Sequence, residues 1–505
     1  MQQRAANDPR SWAFQASIHQ DNCKHNTLHF LSWHRMYLYW FERILRDAVG
    51  DEAFALPYWN YSTAAKRILP IQFRTKGNPL YVSQRSDTVN DGQQPSNTSI
   101  FDTTDAMAAL NFTHTGQGTS FGGRGGASHA SGLLEQTPHN PVHLWIGGYR
   151  AEVETAALDP VSWLHHANID HLWEKWLRQG DGRANPTGDA EFMGTSFTFY
   201  DEGGNPVQMT GVEILDTVEQ LDYRYDDQPA GGTSFAAAKD SSRPVVKSTA
   251  VGATAKGDGL SLGPRPATVA ISLRAEAATA FSAADRESLP RTTLTLEGVA
   301  GGGVRGVMYH VHVGAKQERP SANDPSYVGL IGLFGPQPSD HGGHTATMSY
   351  DITNAVAAAG GKKIAVTLVP VDLTDSGRLP GGTGATIERM LISVEGAVAS
   401  GSTKERAKPK TKAASGRQRR VERKTEGKPD PRRTSTERPE RKRRPAGADK
   451  KARTSTRKRK RSSRDQRSPG QPNAGPNNES MIPGDKRSAV GSDLTGTTVA
   501  GHAQH

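Results

Sequence analysis

The sequence predicts a multidomain chain. A mainly α domain of four-helix-bundle type spans residues 1–195, and a connecting segment with a strand follows in 196–242. An all-β, sandwich-like domain occupies 243–400, and a disordered Lys/Arg-rich tail runs through 401–505. Three observations carry this prediction. Apolar residues recur at three- and four-residue steps from about Leu28 to Ala48 and again from Trp163 to Leu177. From about Arg243 the pattern turns to short strands between Gly, Pro and Asp turns. Beyond residue 400 the chain is Lys, Arg, Ser, Thr, Pro and Gly with almost no aromatics, too little apolar surface to fold.

Charge divides along the same line. The 505 residues carry a formal net charge of +10. Residues 401–470 hold 28 Lys and Arg against 8 Asp and Glu, whereas residues 1–400 hold 32 against 41. The folded part is acidic, and any argument about nucleic acid concerns the tail alone. A single cysteine, Cys23, excludes an intramolecular disulfide. No apolar run is long enough for a membrane span. The N-terminus, MQQRAANDPRSW, has neither an apolar signal region nor a twin arginine, so the chain as given reads as cytoplasmic or exported with a partner.

Taken in order, residues 8–19 read as a short helix capped by Asn7 or Asp8, with Pro9 in its first turn. The amphipathic helix over Leu28–Ala48 follows. His34 lies inside it, His25 at its mouth and His19 at the end of the helix before. Residues 64–134, rich in Gly, Ser, Thr and Asn, read as long loops, with His114 and His129 as plain loop residues. In the stretch from Glu135 to Trp176, His139 and His143 are four apart and share a helical face. There His165 and His166 sit in a second helix, in which Trp163, His166, Asp170, Trp173 and Leu177 recur at helical steps. Residues 196–227 alternate and end in Tyr223-Arg224-Tyr225. The later strands include ATVAISLRA, RTTLTLEGV, GVMYHVHVG, YVGLIGLFG, KKIAVTLVPV and ERMLISVEG. His310 and His312 alternate on one strand face. With His341 and His344 in a Gly-rich loop, they read as surface histidines rather than a second metal site.

An HxxxH pair alone is more often surface or packed core than a ligand set. Its peptidase version needs Glu directly after the first His, and here that residue is Asn140, which disfavours hydrolysis. A third histidine among tryptophans shifts the reading toward a metal in a dry pocket. Imidazole suits copper, zinc, iron and nickel alike. With His19, His25 and His34 the chain has two histidine triads and no thiolate pair, unlike a structural zinc site. A dinuclear site built from facing helices fits both triads.

The segments WHRMYLYWFERIL, LPYWNY, LEQTPHNPVHLWIGG and DPVSWLHHANIDHLW, in this order within roughly residues 7–180, resemble the central domain of tyrosinases, catechol oxidases and molluscan haemocyanins. These are the type-3 copper proteins. The resemblance implies two copper ions with O2 as co-substrate, His19, His25 and His34 binding one copper and His139, His143 and His166 the other. His165 is then a packed or hydrogen-bonded neighbour, while His29 and His171 are ordinary pocket or surface histidines. Cys23, otherwise an inert small hydrophobe, lies two residues before His25. That spacing carries a thioether crosslink in fungal tyrosinases and molluscan haemocyanins, so the resemblance implies a Cys23–His25 link.

Glu135 matches an acidic residue that holds a water near the coppers, and Asn140 an Asn that helps to orient it. Together they imply a general base for an incoming phenol. A Glu135 that merely caps the helix at Pro138–Asn140 is the rival reading. Arg35 and Asp170 are expected to pair beneath the site and lock two helices. Ser162 stands where the family usually has Phe, and is expected to open the floor or mouth of the pocket. In longer plant and fungal members a β-rich C-terminal domain covers the copper site, and the same shielding is expected here.

The implied activity is oxidation of o-diphenols to o-quinones with O2, leaving hydroxylation of monophenols and oxidation of o-aminophenols open. The rival is a haemocyanin-like oxygen carrier with a blocked pocket, against which the single copper unit speaks. Small phenolic substrates and a copper-loading helper protein are the partners this implies. Through runs such as Arg441–Arg444 and Arg457–Arg461, the tail is expected to bind nucleic acid or anionic surfaces nonspecifically.

Overall fold

In this computed structural model the described residues are 1–114, 118–126, 129–228, 248–255, 257, 259–283, 289–301, 307–334, 345–359, 361–373, 378–379, 381–382 and 384–396. His341, His344 and the basic tail 401–505, with Arg441–Arg444 and Arg457–Arg461, lie outside them.

Helix α1 (Trp12–Asn22) begins later than the sequence suggests. Asp8 does not cap it, because its carboxylate takes the N–H and the Nε of Arg10. Ser11 caps it instead, its Oγ accepting from the N–H of Phe14 at 3.0 Å. Helix α2 (Phe30–Val49) ends at Gly50, whose φ of +66° is the left-handed conformation that closes a last helical turn. In the loop region α3 (Ile71–Arg74), α4 (Asp87–Asn90) and α5 (Thr104–Ala108) are short turns of helix. Then come α6 (Asn140–Ile146), α7 (Val161–Arg178) and α8 (Ala190–Gly194), followed by the hairpin β1 (Phe197–Tyr200) and β2 (Pro206–Met209).

Helix α7 is buried nearly all round, with His, Asn, Asp and Glu among its buried positions. Buried polar groups need partners, and α2 supplies the main one. Arg35 donates from Nε to Asp170 at 2.5 Å and from Nη2 to Glu174 at 2.7 Å, while its guanidinium lies 3.6 Å over the Trp173 ring. Tyr223 and Tyr225 each donate a hydroxyl to Asp170 Oδ2 at 2.6 Å. The expected Arg35–Asp170 lock is present, and the Tyr-x-Tyr segment closes it from the other side.

The C-terminal region comprises β3 (Ser248–Ala253), β4 (Leu260–Leu262), β5 (Ala267–Ser272), α9 (Ala275–Ala283), β6 (Thr292–Gly301), β7 (Val307–Val313), β8 (Tyr327–Ile331), β9 (Ala346–Asp351), α10 (Thr353–Ala359), β10 (Lys363–Asp372), β11 (Ala385–Ile387) and β12 (Arg389–Glu395). One sheet runs β5-β10-β7-β8, the other β3-β12-β6-β11-β4 with β9 also on β6. Both give residues to one apolar core, Val311 and Val366 from the first and Leu294 and Ile392 from the second.

A further buried cluster joins the helical and β regions. Met308, Leu330 and Leu373 pack with Trp59, Tyr61, Phe101, Val142 and Trp145. This junction overturns the surface reading of His310 and His312. His310 is buried with Nε2 2.9 Å from Asn97 Nδ2, and His312 is buried against Ser326 Oγ at 3.0 Å. His114 is no plain loop residue either, since its buried Nε2 lies 3.6 Å from Glu395 of β12. His129 is half-buried. Among the described residues no helix is long and apolar enough to cross a membrane.

Candidate metal centre

Four helices bring six histidines together. His19 comes from α1, His25 from the loop after it, His34 from α2, His139 from the turn Glu135–His139, His143 from α6 and His166 from α7. His139 and His143 share a helical face as expected. The break lies before them, at extended Thr137 (φ −153°, ψ 123°), and His139 is already helical (φ −57°, ψ −62°) as it leads into α6. The two rings meet, with centroids 4.5 Å apart. Ligand atoms of His19, His25, His34 and His166 lie within 4.8 Å of one another, and so do those of His139, His143 and His166. His166 belongs to both groups, which therefore stand side by side.

The outer ring nitrogens fix the tautomers. Nδ1 faces a backbone oxygen in four rings: Val153 for His19 (3.0 Å), Phe30 for His34 (2.8 Å), Arg150 for His143 (2.9 Å) and Ser162 for His166 (2.8 Å). In His139 it faces Asn140 Oδ1 at 2.8 Å. All five partners are acceptors, so Nδ1 carries the proton and Nε2 turns a lone pair inward. Nε2 of His19, His25 and His34 is buried without a hydrogen-bond partner. Those of His139 and His166 face each other at 3.2 Å. Burial lowers the pKa of all six, to about 3 for His19, which keeps the rings neutral. Converging, unprotonated lone pairs in a dry pocket are costly unless a cation fills the space between them. The donor set fits two metal ions, and its all-imidazole chemistry suits copper among others.

The neighbouring histidines are occupied elsewhere. His165 Nδ1 meets the Tyr61 hydroxyl at 3.0 Å, His171 Nε2 meets Asp227 at 2.9 Å, and His29 Nε2 lies 3.7 Å from Glu191. Cys23 Sγ is 3.3 Å from His25 Nδ1, and burial pushes its thiol up to about 12.

Glu135 is fully buried, with Oε1 accepting the N–H of Asn26 at 2.6 Å and Oε2 without a partner. The start of α6 draws no hydrogen bond from it, so the capping role is absent. Burial, opposed by the Asn26 N–H, raises its pKa to about 8. Asn140 spends its amide N–H on the Gly332 carbonyl at 3.3 Å. Gly332 permits this approach, because a Cβ there would lie 3.3 Å from the Pro141 nitrogen.

Two residues of the site were not legible in the sequence. Arg150, on the turn Gly148–Ala151, is wholly buried; it donates from Nη1 to Ser162 Oγ and from Nη2 to His143 Nε2 at 2.8 Å. Ser162 therefore does not open the pocket as expected, since a guanidinium fills the space. Phe334, just after β8, lies flat on His143 with centroids 3.7 Å apart and planes at 25°. It also meets His25 and His139 edge-on, at 5.2 and 5.6 Å. Neither residue belongs to a periodic pattern or a ligand spacing.

Residues 9–97 and 70–179 match the family model of the common central domain of tyrosinase. Residues 187–231 match the polyphenol oxidase middle domain, and residues 247–395 a domain of unknown function. A tyrosinase of Hahella sp. (strain CCB-MM4) is 32% identical over 392 residues, covering 66% of this chain and 80% of that protein. Catechol oxidase B of Solanum tuberosum is 27% identical over 434 residues, 77% of this chain and 71% of that one. Among solved structures, latent apple tyrosinase superposes with a TM-score of 0.57 at 23% identity, over 78% of this chain and 92% of its own. The helical core with a β-rich C-terminal region is thus a shared fold.

Proposed function

Because the chain belongs to the tyrosinase family and is a tyrosinase-type enzyme, we propose that it is a dicopper oxidase converting o-diphenols to o-quinones, held latent by its own β region. The observation that carries this reading is the inward convergence of six neutral histidines, five of them buried and His25 half-buried, on their Nε2 atoms. In this proposal His19, His25 and His34 hold one copper, and His139, His143 and His166 the other. When bound, the coppers supply the redox chemistry with O2, and the chain supplies geometry, a dry pocket and access control.

The remaining residues take supporting roles in the same reading. Oε2 of Glu135, free of any partner, accepts the phenolic proton, directly or through a water that Asn140 helps to place. Cys23 lies against His25 for the thioether link, which would fix that ring. Phe334 covers the face of His143, so an aromatic substrate enters only after that ring withdraws.

Copper content and quinone formation test the proposal together, on the full chain and on Phe334→Ala. The expected result is two coppers per chain, with slow catechol oxidation that rises at least about tenfold in the variant. Fewer than two coppers, or two coppers without quinone in either protein, would sink it.

A further inference from the structure

Arg150 stands at the edge of the pocket with its charge unanswered. Its backbone oxygen takes Nδ1 of His143, and its Nη2 donates to Nε2 of the same ring. Nη1 donates to Ser162 Oγ, and Nε has no acceptor. Among the described residues no carboxylate pairs with it. Asp159, whose field reaches it, gives one oxygen to Nε and the other to Nη2 of Arg85, at 2.8 and 2.7 Å.

A desolvated guanidinium without a counter-charge is costly, and so is kept where an anion is to come. The present contact also cannot survive metal binding. Nε2 of His143 has one lone pair, and a metal ion on it displaces Nη2. That leaves the Nε–Nη2 edge of Arg150 empty beside the metals, the same edge with which Arg85 clasps Asp159. Planar, bidentate recognition of a carboxylate is what this edge does best. Ser162 makes room for it, since a Phe at that position would stand where Nη1 now meets the hydroxyl.

We propose that the Nε–Nη2 edge of Arg150 is a carboxylate-binding subsite, so that the preferred phenols carry an acidic group. The proposal rests on the dicopper reading above. Phe334 covers the same His143 ring whose edge Arg150 holds, so withdrawal of Phe334 exposes ring and guanidinium together.

The test uses the full chain with Phe334 and with Phe334→Ala. On zinc-loaded protein, calorimetry compares benzoate with benzamide; on copper-loaded protein, kinetics compare homoprotocatechuate with the uncharged methylcatechol. The expected result is at least about a tenfold preference for the acidic partner in both assays, expressed in KM rather than kcat. Arg150→Met should remove the preference, Arg150→Lys should restore part of it, and Ser162→Phe should remove it by displacing the guanidinium. A preference absent from the parent, or unchanged in Arg150→Met, overturns the proposal. If the chain takes up two coppers and oxidises methylcatechol without that preference, the subsite fails and the oxidase reading stands. If two metals do not bind, the oxidase reading fails and the subsite fails with it, because only a metal on His143 Nε2 frees that edge of Arg150.

Discussion

Two arginines, Arg35 and Arg150, are both buried in the helical region, and their surroundings are opposite. Arg35 has a carboxylate on Nε, a second on Nη2, the Ile214 carbonyl on Nη1 and an indole face beneath it. Burial works against its charge, but Asp170, Tyr223 and Glu174 more than offset this, and its pKa rises. Arg150 has a hydroxyl, an imidazole and one empty donor. Burial lowers its pKa to about 9, which still leaves it charged at neutral pH. A saturated cation belongs to the scaffold, because removing it strands its partners. An unsaturated one costs stability, and its retention points to use. Glu135 is the carboxyl counterpart of Arg150, buried in the same site with one oxygen free.

The sharpest way to break the comparison is Arg35→Met. The substitution leaves Asp170 and Glu174 buried without their cation, a loss of about 3–5 kcal/mol. Urea unfolding of the metal-free chain should show it as a large fall in midpoint. A change below about 1 kcal/mol would mean that Tyr223 and Tyr225 satisfy the carboxylates alone, and that Arg35 is not the lock.

Glu135→Gln comes next, and its effect depends on pH. The folded pKa is about 8 against an ordinary 4.5, so the folded chain holds this proton more tightly than the unfolded one. The stability contribution is complete below the ordinary value and is lost as pH rises toward about 8. Glutamine cannot ionise, so the metal-free variant should gain on wild type across that window, by a few kcal/mol at its top. Bound copper, a nearby cation, should shrink the difference. Parallel melting curves with pH would remove Glu135 from the unpaired class.

How much of this was legible follows from where each signal resides. The two triads were readable because a histidine's chemistry travels with its letter, and the helices because period 3.6 is local. The Arg35–Asp170 pair was readable from its place in two such helices. Arg150 was not, since it becomes a pocket residue only when the turn after α6 folds back over α7. Phe334 reaches His143 from a distant part of the chain, through a backbone approach that Gly332 allows. His310 and His312 look like surface in an alternating strand, and only the junction with the helical region buries them. The α1 boundary moved because Asp8 serves Arg10, which left Ser11 as the cap.

Arg150→Met carries the smallest expected change in stability and the most informative one. Replacing a buried charge that lacks a counter-ion by an apolar side chain of similar length removes a desolvation cost and breaks no ion pair. The lost hydrogen bonds to Ser162 and His143 offset part of that gain. The net change in the metal-free chain should lie between zero and about 1 kcal/mol in favour of the variant, against the large loss in Arg35→Met. Metal uptake should strengthen as well, because the variant has no donor on His143 Nε2 and no like charge beside the incoming cations. Competition with a calibrated chelator measures that affinity directly. A variant that is clearly less stable and binds metal no better would place Arg150 with Arg35, as scaffold.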